Sequence, residues 1–142
     1  MMGCALCIGI QFPEVFSEYE QLKADCVLFS AFSEDPVFWP QAQGYAAANN
    51  LWFSLSIPAQ CGGTLQGALI GHDGHCLSRR DANTTAHFLR VELDKKSPNL
   101  QVAPTNARQW RRKARMGKIY ESGFAADKKT KTHCVLTGKL YL

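Results

Sequence analysis

The chain has 142 residues, 46% of them hydrophobic and 20% charged, with a formal net charge of +4. This length supports one ordinary hydrophobic core, and the composition excludes broad disorder. No apolar run reaches the roughly 20 residues of a membrane-spanning helix, and the apolar start lacks the flanks of a secretory signal. The cytoplasm is therefore the predicted compartment, with no membrane association.

The charge divides unevenly along the chain. Residues 1–106 carry 6 basic and 10 acidic side chains, whereas residues 107–142 carry 10 basic and 2 acidic ones. Pro98 and Pro104 mark a linker before the basic part. We therefore predict a domain over residues 1–95, a basic extension over 96–120 and a tail over 121–142.

The first elements alternate between strand and helix. Residues 1–10 form a continuous apolar run, typical of a strand covered on both faces. Val15, Tyr19 and Leu22 then recur at helical spacing among charged residues, which predicts a short amphipathic helix. Residues 26–29 predict a second buried strand, and the alanine-rich residues 41–50 predict a second helix.

The later elements are mainly strands. Residues 51–57 are apolar at most positions and predict a third strand. Residues 65–70 and 75–80 predict two strands joined at Asp73-Gly74, a strong hairpin signal. Residues 86–93 are a further strand candidate. The order β-α-β-α-β-β-β is typical of a layered α/β domain.

The cysteines and the basic segment admit other interpretations. The six cysteines lie in apolar segments and predict reduced, mostly buried thiols rather than a disulfide framework. A zinc site is a minor alternative, and its ligands would be Cys61, His72, His75 and Cys76. Residues 108–118, with Trp110 among the arginines, resemble a nucleic-acid patch. A solvated segment that packs Trp110 on the domain or a partner subunit is favoured, and nucleic acid is not an expected partner.

Residues 7–14 have the sequence CIGIQFPE, which resembles the signature of carbon–nitrogen hydrolases, the nitrilase/amidase superfamily. In that signature a strand ends in the nucleophilic cysteine, and Phe-Pro-Glu follows shortly after. Cys7 occupies the position of the nucleophile. At the positions of Ile8 and Gly9 the family usually has an aromatic residue followed by an acidic one, and at the position of Gln11 it usually has a basic residue. Later segments are similar to the family in order and spacing, over about residues 1–120 in all.

The resemblance implies an α/β fold, namely part of the family's α-β-β-α sandwich without its N-terminal strands and helices. Residues 1–95 would then be the C-terminal half of the hydrolase domain. It also implies hydrolysis of a non-peptide C–N bond of a small amide or nitrile through a thioester on Cys7. The backbone N–H of Ile8 would stabilise the oxyanion. No metal or organic cofactor is implied, and a homo-oligomer formed through the outer helices is expected.

Two parts of the predicted site have more than one interpretation. Phe32, Phe38 and Trp39 are expected either to line a substrate pocket or to cover the edge of the core. The family's glutamate base and lysine cation lie upstream of the cysteine, and only six residues precede Cys7. The alternative is therefore a catalytically dead fragment that acts only by association. The first strand is also predicted to have an unpaired apolar edge, which invites aggregation.

Overall fold

The structure, a computed structural model, describes residues 1–80, 88–94, 96 and 107–115. The chain divides into two compact units, Met1–Trp110 and Arg111–Leu142. Within the described residues, no helix combines the length and the apolar character that crossing a membrane requires. The strands are β1 Met2–Leu6, β2 Cys26–Ser30, β3 Trp52–Ser56, β4 Ala68–Ile70 and β5 Cys76–Arg79, and the α-helices are α1 Pro13–Gln21, α2 Phe38–Asn49 and α3 Arg108–Arg115.

The described strands form one mixed sheet in the order β1-β2-β3-β4-β5. β1, β2 and β3 are parallel, with Cys4 beside Leu28 and Leu28 beside Ser54. β4 pairs antiparallel with β3 and with β5. α1 and α2 connect the parallel strands, because such strands need a crossover between them. The predicted α/β class and the predicted hairpin at Asp73-Gly74 are thus confirmed.

The helices α1 and α2 pack on one face of the sheet and enclose the core. An aromatic row runs through it, in which Phe16 stacks on Tyr45 with ring centroids 4.3 Å apart, and Phe53 lies 5.6 Å from both Phe16 and Phe29. Phe16, Phe29 and Phe53 are at most 1% exposed. Since each buried phenylalanine contributes on the order of 2–3 kcal/mol by the area it removes from water, this row holds α1 and α2 against the sheet.

The opposite face of the sheet, here called the open face, is formed by the alternate residues of the parallel strands. Its members are Met2, Cys4 and Leu6 of β1, Cys26, Leu28 and Ser30 of β2, and Trp52, Ser54 and Ser56 of β3. Met2, Leu6 and Leu28 are exposed, at 68%, 70% and 43%. The prediction that the first strand is covered on both faces was therefore wrong, because the described helices cover only one.

Local signals set the helix boundaries. Pro13 begins α1, where its missing N–H is no loss. α2 begins three residues earlier than predicted, because the carboxylate of Asp35 accepts the Val37 N–H and the Asp35 carbonyl accepts the Phe38 N–H. Asn50 ends α2 in the left-handed conformation, with φ of 52°, as asparagine tolerates.

Three further expectations differ from the structure. The first strand ends at Leu6 rather than at residue 10, since a 3₁₀ helix occupies Cys7–Gln11. Residues 88–94 contain no strand, although residues 86–93 were a strand candidate of which 86 and 87 lie outside the described residues. Trp110 is 60% exposed, so it is not buried against the domain, and packing on a partner subunit stays a prediction. The predicted tail, residues 121–142, lies outside the described residues.

The outer edge of β1 is partly closed by α1. The Tyr19 hydroxyl donates to the carbonyl of Cys4 and accepts the backbone N–H of the same residue at 3.2 Å. Those two groups would otherwise be free to pair with another strand, since they point away from β2. The predicted open edge is therefore blocked at its middle residue.

Candidate functional site

Cys7 is the first residue after β1, at the carboxyl end of the parallel strands. Its backbone has φ of 38°, a left-handed conformation that a non-glycine residue adopts at a cost of about 1–3 kcal/mol. This turn ends the strand and starts the 3₁₀ helix, and the side chain is exposed. A strained strand-to-helix turn likewise exposes the nucleophilic serine in the elbow of α/β-hydrolases.

Ile8 follows on the 3₁₀ helix, with its side chain 67% exposed. In a 3₁₀ helix each N–H bonds the carbonyl three residues back. The N–H groups of Cys7 and Ile8 come too early in this helix to have such a partner. The predicted oxyanion donor is therefore a backbone N–H that the helix itself leaves free.

The turn after Cys7 is anchored at its far end. Ile10 is fully buried in the core. The side-chain amides of Gln11 and Gln41 exchange two hydrogen bonds, of 3.4 and 3.2 Å, which join the turn to the first part of α2. Gln11 thus positions the turn by pairing with an uncharged partner. The sequence analysis did not foresee this pair, because its members lie 30 residues apart.

The three predicted pocket residues have different environments. Phe32 is 69% exposed in the loop after β2. Phe38 is 7% exposed and packs edge-on against Phe29 with centroids 6.1 Å apart, so its ring belongs to the core. Trp39 is half-buried beside the core. Phe32 and Trp39 retain surface that a ligand can contact, and Phe38 fits the alternative of a core residue.

A pocket at this end of the sheet was not foreseen. Arg79, the last residue of β5, places its guanidinium 5.6 Å from the centroid of the Trp39 ring. The sequence predicted the hairpin that carries Arg79, but nothing in the sequence indicated that this side chain would lie near the Trp39 ring. The pocket has a volume of about 270 Å³ and is lined by Pro36, Trp39, Thr64, Leu65, Gln66 and Arg79.

Glu14, Glu20 and Lys23 lie on α1 or just after it, in different environments. Glu14 is exposed in the first turn of α1. Glu20 is buried at the other end of that helix and faces Arg108, with Oε1 and Nε 3.5 Å apart. Lys23 follows α1 near Asp25, which pairs with the amino group of Met1 at 2.6 Å. The end of the sheet at which Met1 and Asp25 lie is roughly 16 Å from Cys7, because the five-residue strand β1 separates them.

The described cysteines are free thiols of two kinds. Cys26 and Cys61 are buried, whereas Cys4, Cys7 and Cys76 are exposed, so the expectation of mostly buried thiols was wrong for this part of the chain. Burial raises the pKa of the Cys26 thiol above its usual 9.0, which keeps it protonated and unreactive.

The two histidines of the alternative zinc site have different environments. His72 is 2% exposed, and its ring lies 4.5 Å from that of Trp52, whereas His75 is exposed and pairs with Asp73 at 3.3 Å. Burial lowers the pKa of His72 below its usual 6.5. Within the described ranges, which include all four proposed ligands, no group of three such side chains is placed to hold a metal ion.

No protein-family model and no curated protein matches the sequence. The structure, however, is similar to Nit3 of Saccharomyces cerevisiae, a member of branch 10 of the nitrilase superfamily, with a TM-score of 0.51 and 15% identity over 58% of this chain and 34% of that one. The fold is that of a partial carbon–nitrogen hydrolase domain. The resemblance that residues 7–14 predicted is thereby confirmed for the fold.

Two other solved structures are also similar to this chain. An amidase from Nesterenkonia sp. has a TM-score of 0.49 and 18% identity, over 58% of this chain and 34% of that one. A carbon–nitrogen hydrolase from Helicobacter pylori G27 has a TM-score of 0.47 and 18% identity, over 58% of this chain and 37% of that one. The chain thus spans about a third of the length of the structures it matches.

Proposed function

We propose that Cys7 is the nucleophile of a carbon–nitrogen hydrolase site that acts on a small amide or nitrile. The observation that carries this proposal is the exposed thiol on a left-handed backbone at the end of β1. Such strain persists only where the surrounding structure holds it, as the buried Ile10 and the Gln11–Gln41 pair do here.

The chemistry of an amide substrate would proceed in two steps. The Cys7 thiolate attacks the carbonyl carbon, a C–S bond forms, and the negative charge moves to the oxygen. The N–H of Ile8 stabilises that oxyanion. When the intermediate collapses, the C–N bond breaks and the nitrogen leaves with a proton as ammonia or an amine. Water then attacks the thioester, which releases the carboxylic acid and returns the thiol.

A general base and a cation are also needed, to take the thiol proton and to stabilise the oxyanion. Glu20 faces Arg108 and Lys23 follows the far end of α1, while the family resemblance gives Glu14 a structural rather than a catalytic position. We infer that these two groups come from outside the described residues, so the described part alone is expected to hydrolyse amides poorly.

The test is the labelling rate of each cysteine with iodoacetamide near neutral pH, read by mass spectrometry of the peptides. Cys4 and Cys76 are exposed thiols of the same chain and serve as internal controls. An activated nucleophile predicts that Cys7 reacts faster than both. A Cys7→Ser variant identifies its peptide and should leave the other rates unchanged.

A rate for Cys7 no higher than those of Cys4 and Cys76 would refute an activated nucleophile. It would favour the second candidate function, a catalytically inactive fold that acts by association. The observation that favours this alternative is that the buried carboxylate of Glu20 is paired with Arg108.

A further inference from the structure

We propose that the pocket between Arg79 and Trp39 binds a small molecule that carries one carboxylate on an apolar body. The pocket has a volume of about 270 Å³, below the roughly 300 Å³ at which pockets for drug-sized ligands begin, so its ligand is small. The site is separate from the Cys7 turn, and binding there does not depend on the chemistry proposed for Cys7.

The pocket lies at the carboxyl end of the parallel strands, where ligands of open α/β sheets bind. β5 is antiparallel to β4, which is antiparallel to β3, so β5 runs in the same direction as β1, β2 and β3. Arg79, the last residue of β5, is therefore at the same end as Cys7. β1 and β5 are the outer strands of five, so their ends lie roughly 19 Å apart, at about 4.8 Å per strand. A small amide bound at Cys7 thus leaves the pocket free for a second ligand, and Trp39 would serve this second site.

Arg79 supplies the positive charge of the pocket. Its guanidinium carbon lies 5.6 Å from the centroid of the Trp39 ring. A cation held over a ring by its π electrons keeps most of its five N–H donors for other partners. The ion pairs of the described residues do not include Arg79. The ring therefore orients a guanidinium whose paired N–H groups match the two oxygens of a carboxylate.

The loop before α2 carries two acidic residues, Glu34 and Asp35, next to Pro36 of the pocket lining. The carboxylate of Asp35 accepts the backbone N–H of Val37 at 3.0 Å, and Glu34 is exposed. Neither carboxylate lies within ion-pair distance of Arg79. The charge of Arg79 is thus left for a ligand, because no direct partner neutralises it.

Thr64 and Gln66 add two uncharged hydrogen-bonding groups to the lining. Within the described residues neither side chain makes a hydrogen bond, so the hydroxyl and the amide can both donate to a ligand oxygen. Their loop is held in place, because Leu65 between them is 1% exposed and the Gly67 carbonyl accepts the Arg80 N–H at 2.9 Å. Donors positioned before the ligand arrives lower the entropy cost of binding.

The rest of the lining favours a carboxylate on an apolar body over a phosphate. Pro36, Leu65 and the Trp39 ring form apolar walls. Among the described residues that line the pocket, Arg79 alone carries a charge. One guanidinium matches the single charge of a carboxylate, whereas a phosphate group brings close to two charges and three acceptor oxygens.

The experiment is isothermal titration calorimetry of the full chain with benzoate, and benzyl alcohol serves as the uncharged counterpart. We expect benzoate to bind about tenfold or more tightly than benzyl alcohol, because only benzoate accepts charge-assisted hydrogen bonds. Arg79→Gln removes the charge but keeps a hydrogen-bonding side chain, and it should weaken benzoate binding about ten- to hundredfold.

Arg90→Gln is the matched control, since Arg90 is an exposed arginine outside the pocket lining, and it should leave benzoate binding unchanged. Cys7→Ser should bind benzoate as the wild type does, so the outcome is separate from that of the cysteine labelling. Circular dichroism checks that each variant is folded.

Four results would overturn the proposal. The first is that benzoate does not bind, or binds no more tightly than benzyl alcohol. The second is an equal loss of binding in Arg79→Gln and Arg90→Gln, which would assign the effect to net charge. The third is displacement of benzoate by inorganic phosphate that binds more tightly, which would make the pocket a general anion site. The fourth is a loss of benzoate binding in Cys7→Ser, which would place the ligand at the Cys7 turn.

Discussion

Gly3 lies under the ring of Tyr19, and replacing it by alanine is expected to destabilise the chain. A Cβ atom at this position would lie 2.6, 2.7 and 2.8 Å from the Cδ1, Cε1 and Cγ atoms of the ring. Separations this short require a displacement. The ring cannot move freely, because its hydroxyl is bound to both backbone groups of Cys4 and α1 holds its Cα.

The cost follows from three contributions. Overpacking costs about 1–3 kcal/mol. If the ring moves away, the two hydrogen bonds to Cys4 are weakened, at about 0.5–1.5 kcal/mol each. The lower entropy of the unfolded chain with alanine offsets about 0.4–1 kcal/mol. We therefore expect Gly3→Ala to reduce the free energy of unfolding by about 1–3 kcal/mol. The first two costs do not add in full, because a Tyr19 ring that moves away is no longer overpacked.

Urea unfolding followed by circular dichroism measures this change, with an unchanged m-value as evidence that only stability differs. Gly44→Ala is the matched control, because a Cβ atom at Gly44 in α2 meets nothing within 4 Å. It should stabilise the chain by about 0.4–1 kcal/mol. In a chain that also carries Tyr19→Ala, Gly3→Ala should lower the free energy of unfolding only slightly. A Gly3→Ala variant as stable as the wild type would refute the reasoning, as would an equal cost in both backgrounds.

Three other changes test the remaining packing. Glu20→Gln should cost about 3–5 kcal/mol, because it leaves the part-buried Arg108 without its ion-pair partner, and urea unfolding should show the loss. Phe53→Ala should cost about 3–5 kcal/mol in the same assay, since it removes the ring at the centre of the aromatic row. For His72, burial lowers the folded-state pKa below 6.5, so the unfolded chain binds this proton more readily. Stability should therefore be full above pH 6.5 and decline as the pH falls below it, and His72→Phe should show a shallower decline in urea unfolding at several pH values.

Each of these has a result that would contradict it. Phe53→Leu keeps much of the apolar volume, and a cost equal to that of Phe53→Ala would argue against the packing role. A Glu20→Gln variant within 1 kcal/mol of the wild type would mean that the pair is not buried in solution. An unchanged acid decline in His72→Phe would assign the decline to other groups, of which Asp73 titrates lower because its pKa lies below 3.8.

The local pattern predicted the elements well where periodicity and turn residues agreed. Val15, Tyr19 and Leu22 marked the first helix, and Asp73-Gly74 marked the hairpin, because both signals act within a few residues. The same pattern failed at residues 7–10, which are as apolar as the strand before them. Strand and 3₁₀ helix share that composition, and the strand ends where Cys7 adopts positive φ.

The sequence by itself determined the order of strands and helices and the likeness of residues 7–14 to a hydrolase signature, since both reside in consecutive residues. Only the tertiary structure decided that Gln11 pairs with Gln41, that Glu20 faces Arg108 and that α1 and α2 pack on the same face of the sheet. These contacts join residues far apart in the chain, and each depends on which strands pair and which face the helices cover. Periodicity shows that a strand has two faces, but it cannot show which face is covered until every packed element is in place.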